Sequence, residues 1–159
     1  MKAVLQRVVS GSVSVGGEVI SSIGKGIVAL IGIHRDDTRA DLEYIVKKIV
    51  SIRMWEDESG RRWAKSAKDL ELEILCVSQF TLYHVMKGNK PDFHLAMAGE
   101  KSQIFYNEFL TEMKKAYSED KIKDGQFGAM MEVNIVNDGP VTLELDSINN
   151  RAAPSAKKS

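Results

Sequence analysis

Cysteine is almost absent from this sequence, and long apolar runs are missing. Cys76 is the single cysteine among 159 residues, so no disulfide can form within the chain, which is typical of reducing compartments. The start of the chain is already polar at Gln6 and Arg7, unlike a secretory signal peptide. A membrane-spanning helix needs about 20 consecutive apolar residues, and no apolar stretch approaches that length. We therefore expect a cytoplasmic protein without a membrane partner.

An excess of charge of either sign is also missing. Lysine and arginine number 22, aspartate and glutamate number 22, and the formal net charge is zero. This balance disfavours a globally basic nucleic-acid binder, so any RNA or DNA contact must use a local patch. The best candidate is the long irregular stretch predicted for residues 83–99, which carries Lys87 and Lys90. Short lysine-bearing loops are nevertheless more often solvated surface.

The usual metal-binding and nucleophile patterns are lacking as well. His34, His84 and His94 include no pair at i, i+4 spacing and no supporting cysteine cluster, so we predict no metal and no other cofactor. The glycines of residues 24–26 lack the rest of either nucleotide-binding motif. Cys76 alternates with strand residues, which favours a small core residue over a nucleophile.

The apolar pattern predicts one strand-rich α/β domain with two amphipathic helices. The polar, small residues of 147–159 predict a disordered tail after a domain of residues 1–146. Trp63 is predicted to return to apolar surroundings after a polar turn. The predicted strands are residues 3–9, 13–15, 18–23, 26–33, 53–55 and 72–76; one helix is capped by Thr38 and Asp41 and includes residues 42–49, and the second covers residues 100–117.

Residues 137–142, Asn-Asp-Gly-Pro-Val-Thr, form the most distinctive segment. They lie between two alternating runs and are predicted to form the corner of a final hairpin. Gly139 can adopt backbone angles closed to other residues, and Pro140 fixes its own φ and has no N–H. An X–Pro bond is also the kind that adopts cis at low cost. The corner could therefore present carbonyl oxygens rigidly, or it could be an ordinary turn at a sheet edge.

Residues 78–82, Ser-Gln-Phe-Thr-Leu, lie where a predicted strand ends and a loop begins, a common position for functional residues. Ser78 could be a nucleophile with His84 or His94 as its base, but it lacks the flanking glycines of a nucleophile elbow. The N–H groups of Phe80 and Thr81 could instead stabilise an oxyanion. The spacing alone does not decide between these two chemistries.

Taken together, the two segments resemble the two signature motifs of the D-aminoacyl-tRNA deacylase family. The resemblance implies a single-domain, β-rich layered α/β sandwich with two main amphipathic helices, and a homodimer with active sites at the interface. It covers nearly the whole chain and includes Leu-Gln-Arg-Val at 5–8, Gly-Ile at 32–33, Lys-Gly-Asn-Lys-Pro at 87–91 and Phe-Gly at 127–128 followed by Met131.

The resemblance implies a hydrolase that cleaves the ester between a D-amino acid and the 3′-terminal adenosine of tRNA, as chiral proofreading in translation. Glycine wrongly attached to tRNA is also accepted in this family, because glycine has no side chain to reject. The partners implied are the aminoacylated 3′ end of tRNA and a second copy of the chain.

The resemblance also assigns residues to the active site. The segment of Ser78, Gln79, Phe80 and Thr81 would hold the adenosine and the ester, with the backbone at Phe80 and Thr81 beside the reacting carbon. Such a backbone site needs no catalytic triad, and it makes Thr81 a binding residue and not a nucleophile.

The second segment would select the enantiomer of the substrate. Gly139-Pro140, in the cis form, would reach from one subunit into the site of the other and bind the substrate's α-amino group. This arrangement would leave no room for an L side chain. The remaining substrate-binding residues implied by the resemblance are Arg7, which would support the corner, Met131, which would line the pocket, and Asn137, Val141 and Thr142 of the motif itself.

Two other functions stay open at this stage. A related editing enzyme with a trans Gly139-Pro140 bond would admit a small L-amino acid, and the ω angle at Pro140 discriminates it. A non-catalytic RNA- or DNA-binding module would show steep salt dependence and no ester cleavage. Zero net charge and the absence of a predicted aromatic stacking platform count against this second alternative.

Overall fold

The computed structural model describes residues 1–152, and the side chains of residues 1–149. Short 3-10 turns at Phe80–Tyr83 and Glu119–Lys121 connect some of the main elements. In chain order these elements are β1 (Lys2–Val15), β2 (Glu18–Ile23), β3 (Gly26–Gly32), α1 (Arg39–Ser51), β4 (Arg53–Trp55), β5 (Lys65–Ser66), β6 (Glu73–Ser78), β7 (Val85–Lys87), β8 (Lys90–Asp92), α2 (Gly99–Ala116), β9 (Ile122–Asp124), β10 (Glu132–Asp146) and α3 (Ser147–Ala152).

Six strands form the main sheet in the order β10-β1-β3-β6-β9, and β2 also pairs with β1. Strand β1 is antiparallel to its neighbours, whereas β3, β6 and β9 run parallel. Parallel neighbours need crossover connections, and α1 and α2 supply them. No helix among the described residues is long and apolar enough to cross a membrane.

Strand β3 lies at the centre of the sheet and is buried on both faces, as its continuous apolar run predicts. Ile27, Ala29 and Ile31 pack in the main core with the two long helices. Val28 points to the other face, where it packs in a smaller core with Leu75.

The Thr38–Asp41 capping prediction is confirmed at the start of α1. The Asp41 carboxylate accepts hydrogen bonds from the Thr38 N–H (2.9 Å) and hydroxyl (3.2 Å). Leu42, Ile45 and Ile49 are buried, as their helical spacing predicts. The second predicted helix is confirmed at Gly99–Ala116.

The prediction of a disordered tail is wrong at its start. Helix α3 begins at Ser147, which is fully buried. The Ser147 hydroxyl donates to Asp41 (2.7 Å) and accepts from the α-ammonium group of Met1 (2.8 Å), which also pairs with Asp37 (2.7 Å). Small polar residues indicate disorder by composition, but here the hydroxyl of Ser147 is a hydrogen-bond partner of the buried α-ammonium group. The rest of the predicted tail lies outside the described residues.

We expect Ser147→Ala to lower the free energy of unfolding by about 1–3 kcal/mol, because a buried charge loses a hydrogen-bond partner. Urea denaturation measures the change. Ser22→Ala, on an exposed part of β2, is the matched control and should change stability by less than about 0.5 kcal/mol. Equal stabilities of the two variants would contradict the prediction.

Strand β1 is longer than the sequence predicts, because residues 3–9 and 13–15 belong to one continuous strand. Ser10, Gly11 and Ser12 have the composition of a break. Gly11 is instead required for close packing, since a Cβ there would lie 2.7 Å from Cγ2 of Val28. The long β1 then provides one continuous partner for β10.

The predicted hairpin at residues 137–142 is wrong, because β10 continues in one direction through this segment and both of its halves pair with β1. Residues 138–141 face only Arg7 and bulge out of the ladder. A β1 strand of 14 residues can pair with both halves, so neither half needs the other. The flanking pairs are Thr142 with Gln6 and Asn137 with Val8.

Candidate active site

The segment of residues 78–81 lies where the sheet gives way to a 3-10 turn. Ser78 ends β6, and the Gln79 N–H donates to the Ile31 carbonyl oxygen (2.7 Å), which fixes the segment to β3. Phe80 and Thr81 open the turn, where no carbonyl of the same turn can accept their N–H groups. These two amides therefore suit an external oxygen acceptor.

Two side-chain contacts hold the turn in shape. The Gln79 side-chain amide donates to the Thr81 hydroxyl (2.5 Å), and Nδ1 of His84 lies 2.9 Å from the Thr81 carbonyl oxygen. His94 contacts Asp92, and among the described residues neither His84 nor His94 is hydrogen-bonded to Ser78. The geometry thus offers no nucleophile–base pair at Ser78.

A largely apolar cavity of about 290 Å³ opens beside this segment. The ring of Phe80 is 57% exposed and meets Phe93 edge-on, with 5.1 Å between the ring centroids. Met97 and Phe127 also line the cavity, together with Ser78 and Gln79. A mostly apolar cavity with a few convergent polar groups is typical of small-ligand sites.

Phe93 and Met97 were missed by the sequence analysis, because both lie in the stretch predicted to be irregular. Part of that stretch is the hairpin of β7 and β8. The Met97 N–H donates to the Ile33 carbonyl oxygen (2.9 Å), and this bond returns the chain to the end of β3. No local pattern could reveal this contact, since the partners lie 64 residues apart in sequence.

The other motif segment forms a rigid bulge on the opposite side of β1. Gly139 has φ +121°, a region that favours glycine, and its peptide bond to Pro140 is cis. This is the isomer that the family resemblance implies, and not the trans isomer of the alternative editing enzyme. Gly139 and Pro140 are exposed, Val141 is half-buried, and the Thr142 hydroxyl donates to the Gln6 side chain (2.7 Å).

Arg7 connects this bulge to the neighbouring strand β4. It donates from Nη1 to the Met54 carbonyl oxygen (2.6 Å) and from Nε to the Asp138 carbonyl oxygen (3.3 Å). Its Nε also lies 3.4 Å from the Asp138 carboxylate. Leu5 is buried whereas Val9 is exposed, so the guanidinium stands at the edge of the core. This contact explains an arginine on a face that also carries apolar residues.

Met131 is placed away from the bulge within the chain. Its sulfur accepts from the Gln126 N–H (3.4 Å), and its side chain packs on the smaller core beside Val13. The exposed Asn137 lies at the edge of the bulge. Within one chain, the structure does not bring Met131 and Gly139 into a common cavity.

The remaining sequence candidates have structural surroundings. Cys76 is fully buried, and burial raises the pKa of its thiol, which confirms the prediction of a core residue. On the β7–β8 hairpin, Lys87 pairs with Asp92 (3.3 Å), and His94 and Lys87 lower the pKa of Asp92 to about 2. Among the described residues, no group of three or more histidine, cysteine, aspartate or glutamate side chains could hold a metal.

Fold and site together define a single-domain α/β protein whose candidate site combines backbone groups with an apolar cavity. A family model described as D-Tyr-tRNA(Tyr) deacylase matches residues 4–146. The chain therefore belongs to this deacylase family, which confirms the family and the fold class predicted from the sequence.

Individual relatives agree with this assignment. The chain is 60% identical over 147 residues to D-aminoacyl-tRNA deacylase 1 of Homo sapiens, covering 92% of this chain and 70% of that protein. It is 57% identical over 158 residues to the Mus musculus protein of the same name, covering 99% and 76%. A solved structure titled c-Myc DNA Unwinding Element Binding Protein superimposes with a TM-score of 0.89 at 60% identity, covering 92% of this chain and 98% of that one.

Proposed function

We propose that this chain hydrolyses the ester between a D-amino acid and the 3′-terminal adenosine of tRNA, releasing the free amino acid and tRNA as proofreading in translation. One arrangement carries the proposal. In a chain of this family, the N–H groups of Phe80 and Thr81 are open to an external acceptor and the bulge at Gly139 is exposed. Translation takes place in the cytoplasm, which is the location we propose.

The reaction needs no titrating side chain in this scheme. Water attacks the ester carbon, and the N–H groups of Phe80 and Thr81 stabilise the negative charge that develops on the carbonyl oxygen. The bond to the ribose 3′ oxygen breaks, and that oxygen takes up a proton. The adenosine 2′-hydroxyl assists the attacking water, as the family resemblance implies. Phe80 and the apolar cavity hold the adenosine and the ester.

A second copy of the chain completes the site in this proposal. Within one chain, the bulge and residues 78–80 line two separate cavities, of about 490 and 290 Å³ respectively. The exposed Gly139 and Pro140 can enter the cavity of a partner, where their carbonyl oxygens bind the substrate's α-amino group. The rigid bulge then leaves no room for an L side chain, and glycine is accepted because it has none.

The direct test is hydrolysis of matched D-Tyr-tRNA and L-Tyr-tRNA by the purified protein. We expect rapid loss of the D-ester while the L-ester persists as long as in buffer. Loss of both esters would contradict the selection by the bulge. Binding of RNA or DNA without loss of either ester would favour a non-catalytic nucleic-acid-binding module, as the name of the similar c-Myc DNA Unwinding Element Binding Protein suggests for that protein.

Ser78→Ala should retain hydrolysis of D-Tyr-tRNA within about fivefold of the unchanged protein, because no described histidine is hydrogen-bonded to Ser78. Cys76→Ala, which removes a buried thiol, is the parallel variant and should also remain active. Single-turnover rates separate chemistry from binding. Loss of turnover in Ser78→Ala with tRNA still bound would show that the hydroxyl is the nucleophile.

A further inference from the structure

A second cavity lies directly beside the bulge and is more polar than the first. Its volume is about 490 Å³, and Gly139, Asp138 and Arg7 form one side of it. Lys25 and the adjacent pair Arg62 and Trp63 also line this cavity. None of these last three residues belongs to either motif segment, so the proposed reaction leaves them without a role.

Trp63 is the most unusual residue of this cavity. Its indole is 53% exposed, so the prediction that it returns to apolar surroundings is wrong. Its φ is +56°, which residues other than glycine seldom adopt. Such strained residues persist where the surroundings fix them and are concentrated at functional sites. The Ala64 N–H donates to the Trp55 carbonyl oxygen (2.8 Å) and fixes the backbone directly after Trp63.

The charges of the cavity favour a polyanion. Lys25 and Arg62 are exposed, and neither forms an ion pair with a described residue. Arg7 is already paired with Asp138, which leaves Glu56 as the acidic side chain of the cavity without a cationic partner among residues 1–149. The lining of the cavity therefore includes two cations and one carboxylate that form no ion pair with a described residue.

A buried hydrogen-bond donor adds to the polar character of this cavity. The indole N–H of Trp55, which also lines the cavity, has no hydrogen-bond acceptor among the described residues. The great majority of buried polar groups in proteins have a hydrogen-bond partner. A free donor, two free cations and an exposed flat ring are the groups that recognise single-stranded nucleic acid through stacking and phosphate contacts.

We propose that this cavity binds a single-stranded nucleotide of the tRNA 3′ end that precedes the terminal adenosine, with its base stacked on Trp63 and its phosphates near Lys25 and Arg62. The inference rests on the proposed function. Because the bulge enters the partner's apolar cavity, the residues that flank the bulge reach the rim of that cavity. The strand that leaves the bound adenosine then passes over Trp63.

The test compares a full substrate with a minimal one. D-Tyr-tRNA contains the preceding nucleotides, whereas 3′-O-D-tyrosyl-adenosine lacks them. We expect Trp63→Ala to raise KM for D-Tyr-tRNA about tenfold more than KM for the minimal substrate, as is usual for loss of a base–aromatic stack. Trp63→Phe keeps a ring and should recover most of the affinity.

The salt dependence tests the two cations separately. Lys25→Gln and Arg62→Gln should each reduce the slope of log KM against log salt by about 0.7, the value for one phosphate of a single strand. Arg61→Gln is the matched control, because Arg61 is adjacent in sequence but pairs with Asp57 (3.3 Å). Its slope should equal that of the unchanged protein.

Three outcomes would overturn the inference. The first is an equal change of KM for both substrates in Trp63→Ala. The second is a salt slope of Lys25→Gln and Arg62→Gln that equals the slope of Arg61→Gln. The third is dissociation of the oligomer in Trp63→Ala, which sedimentation detects. Should Trp63→Ala not fold, Trp63→Phe and the charge variants decide alone. A protein that hydrolyses neither substrate would refute the proposed function itself, whereas normal hydrolysis with unaltered KM in every variant would refute only this inference.

Discussion

Gly139→Ala is expected to lower kcat/KM for D-Tyr-tRNA about 100-fold. The bulge backbone has φ +121° at this position, and an added Cβ would lie 3.0 Å from Cγ2 of Val141 and 3.1 Å from Nη2 of Arg7. Alanine must therefore shift the backbone whose carbonyl oxygens bind the substrate in our proposal. A displacement near 1 Å of a positioning group costs on the order of 100-fold in rate.

A loss of folding must be separated from this loss of positioning. Gly139→Ala should lower the free energy of unfolding by about 1–3 kcal/mol, because alanine is strained at positive φ. Gly17→Ala is the matched control, since Gly17 has φ +81° in the β1–β2 turn with open space around it. The control should lose similar stability and keep its activity. Full activity of Gly139→Ala would contradict the proposed use of the bulge.

Arg7→Met is expected to lower kcat/KM for D-Tyr-tRNA between about 10- and 100-fold. Methionine can fill the space of the aliphatic stem, but it loses the hydrogen bonds to the carbonyl oxygens of Met54 and Asp138. The bulge then loses its link to β4 and no longer holds its position. Hydrogen bonds to charged groups contribute about 1.5–3 kcal/mol, so stability should fall as well.

Two further variants test this interpretation of Arg7. Arg7→Lys should recover only part of the activity, because one ammonium group cannot replace the planar fork that reaches both acceptors. Arg35→Met is the control, since Arg35 is exposed and its ion pair is with the exposed Asp36 (3.8 Å). Equal activities of Arg7→Met and Arg35→Met, each measured where the protein is fully folded, would refute the positioning role.

Strong local patterns were sufficient to predict much of the fold. The apolar run of β3 predicts a strand buried on both faces, the glycines between β1 and β2 predict a tight hairpin, and Thr38 with Asp41 predicts the start of α1. Each of these signals lies within a few residues and depends on backbone chemistry or periodicity alone. For the same reason, the two motif segments could be recognised from the sequence.

Features that depend on distant partners could not be predicted. The pattern at residues 137–142 predicts a hairpin corner, because only the register with β1 shows that both flanks of the bulge share one partner. Composition places Ser147 in a disordered tail, although its hydroxyl accepts a hydrogen bond from the start of the chain. Trp63 is likewise exposed in the connection between β4 and β5, whose pairing the local sequence does not reveal.

The most direct test of the proposed shared site is complementation between two inactive variants. Gly139→Ala removes the bulge function, and Ala98→Trp fills the apolar cavity from its exposed rim. If bulge and cavity come from different copies, a mixed dimer holds one intact site. Random mixing in equal amounts makes about half of the dimers mixed, so about a quarter of all sites should be intact.

The measurement is the rate of D-Tyr-tRNA hydrolysis after the two variants are unfolded and refolded together, compared with each variant refolded alone. We predict recovery of about a quarter of the activity of the unchanged protein, and no recovery in either variant alone. Activity of the mixture that equals the mean of the two separate variants would contradict a site shared between two copies.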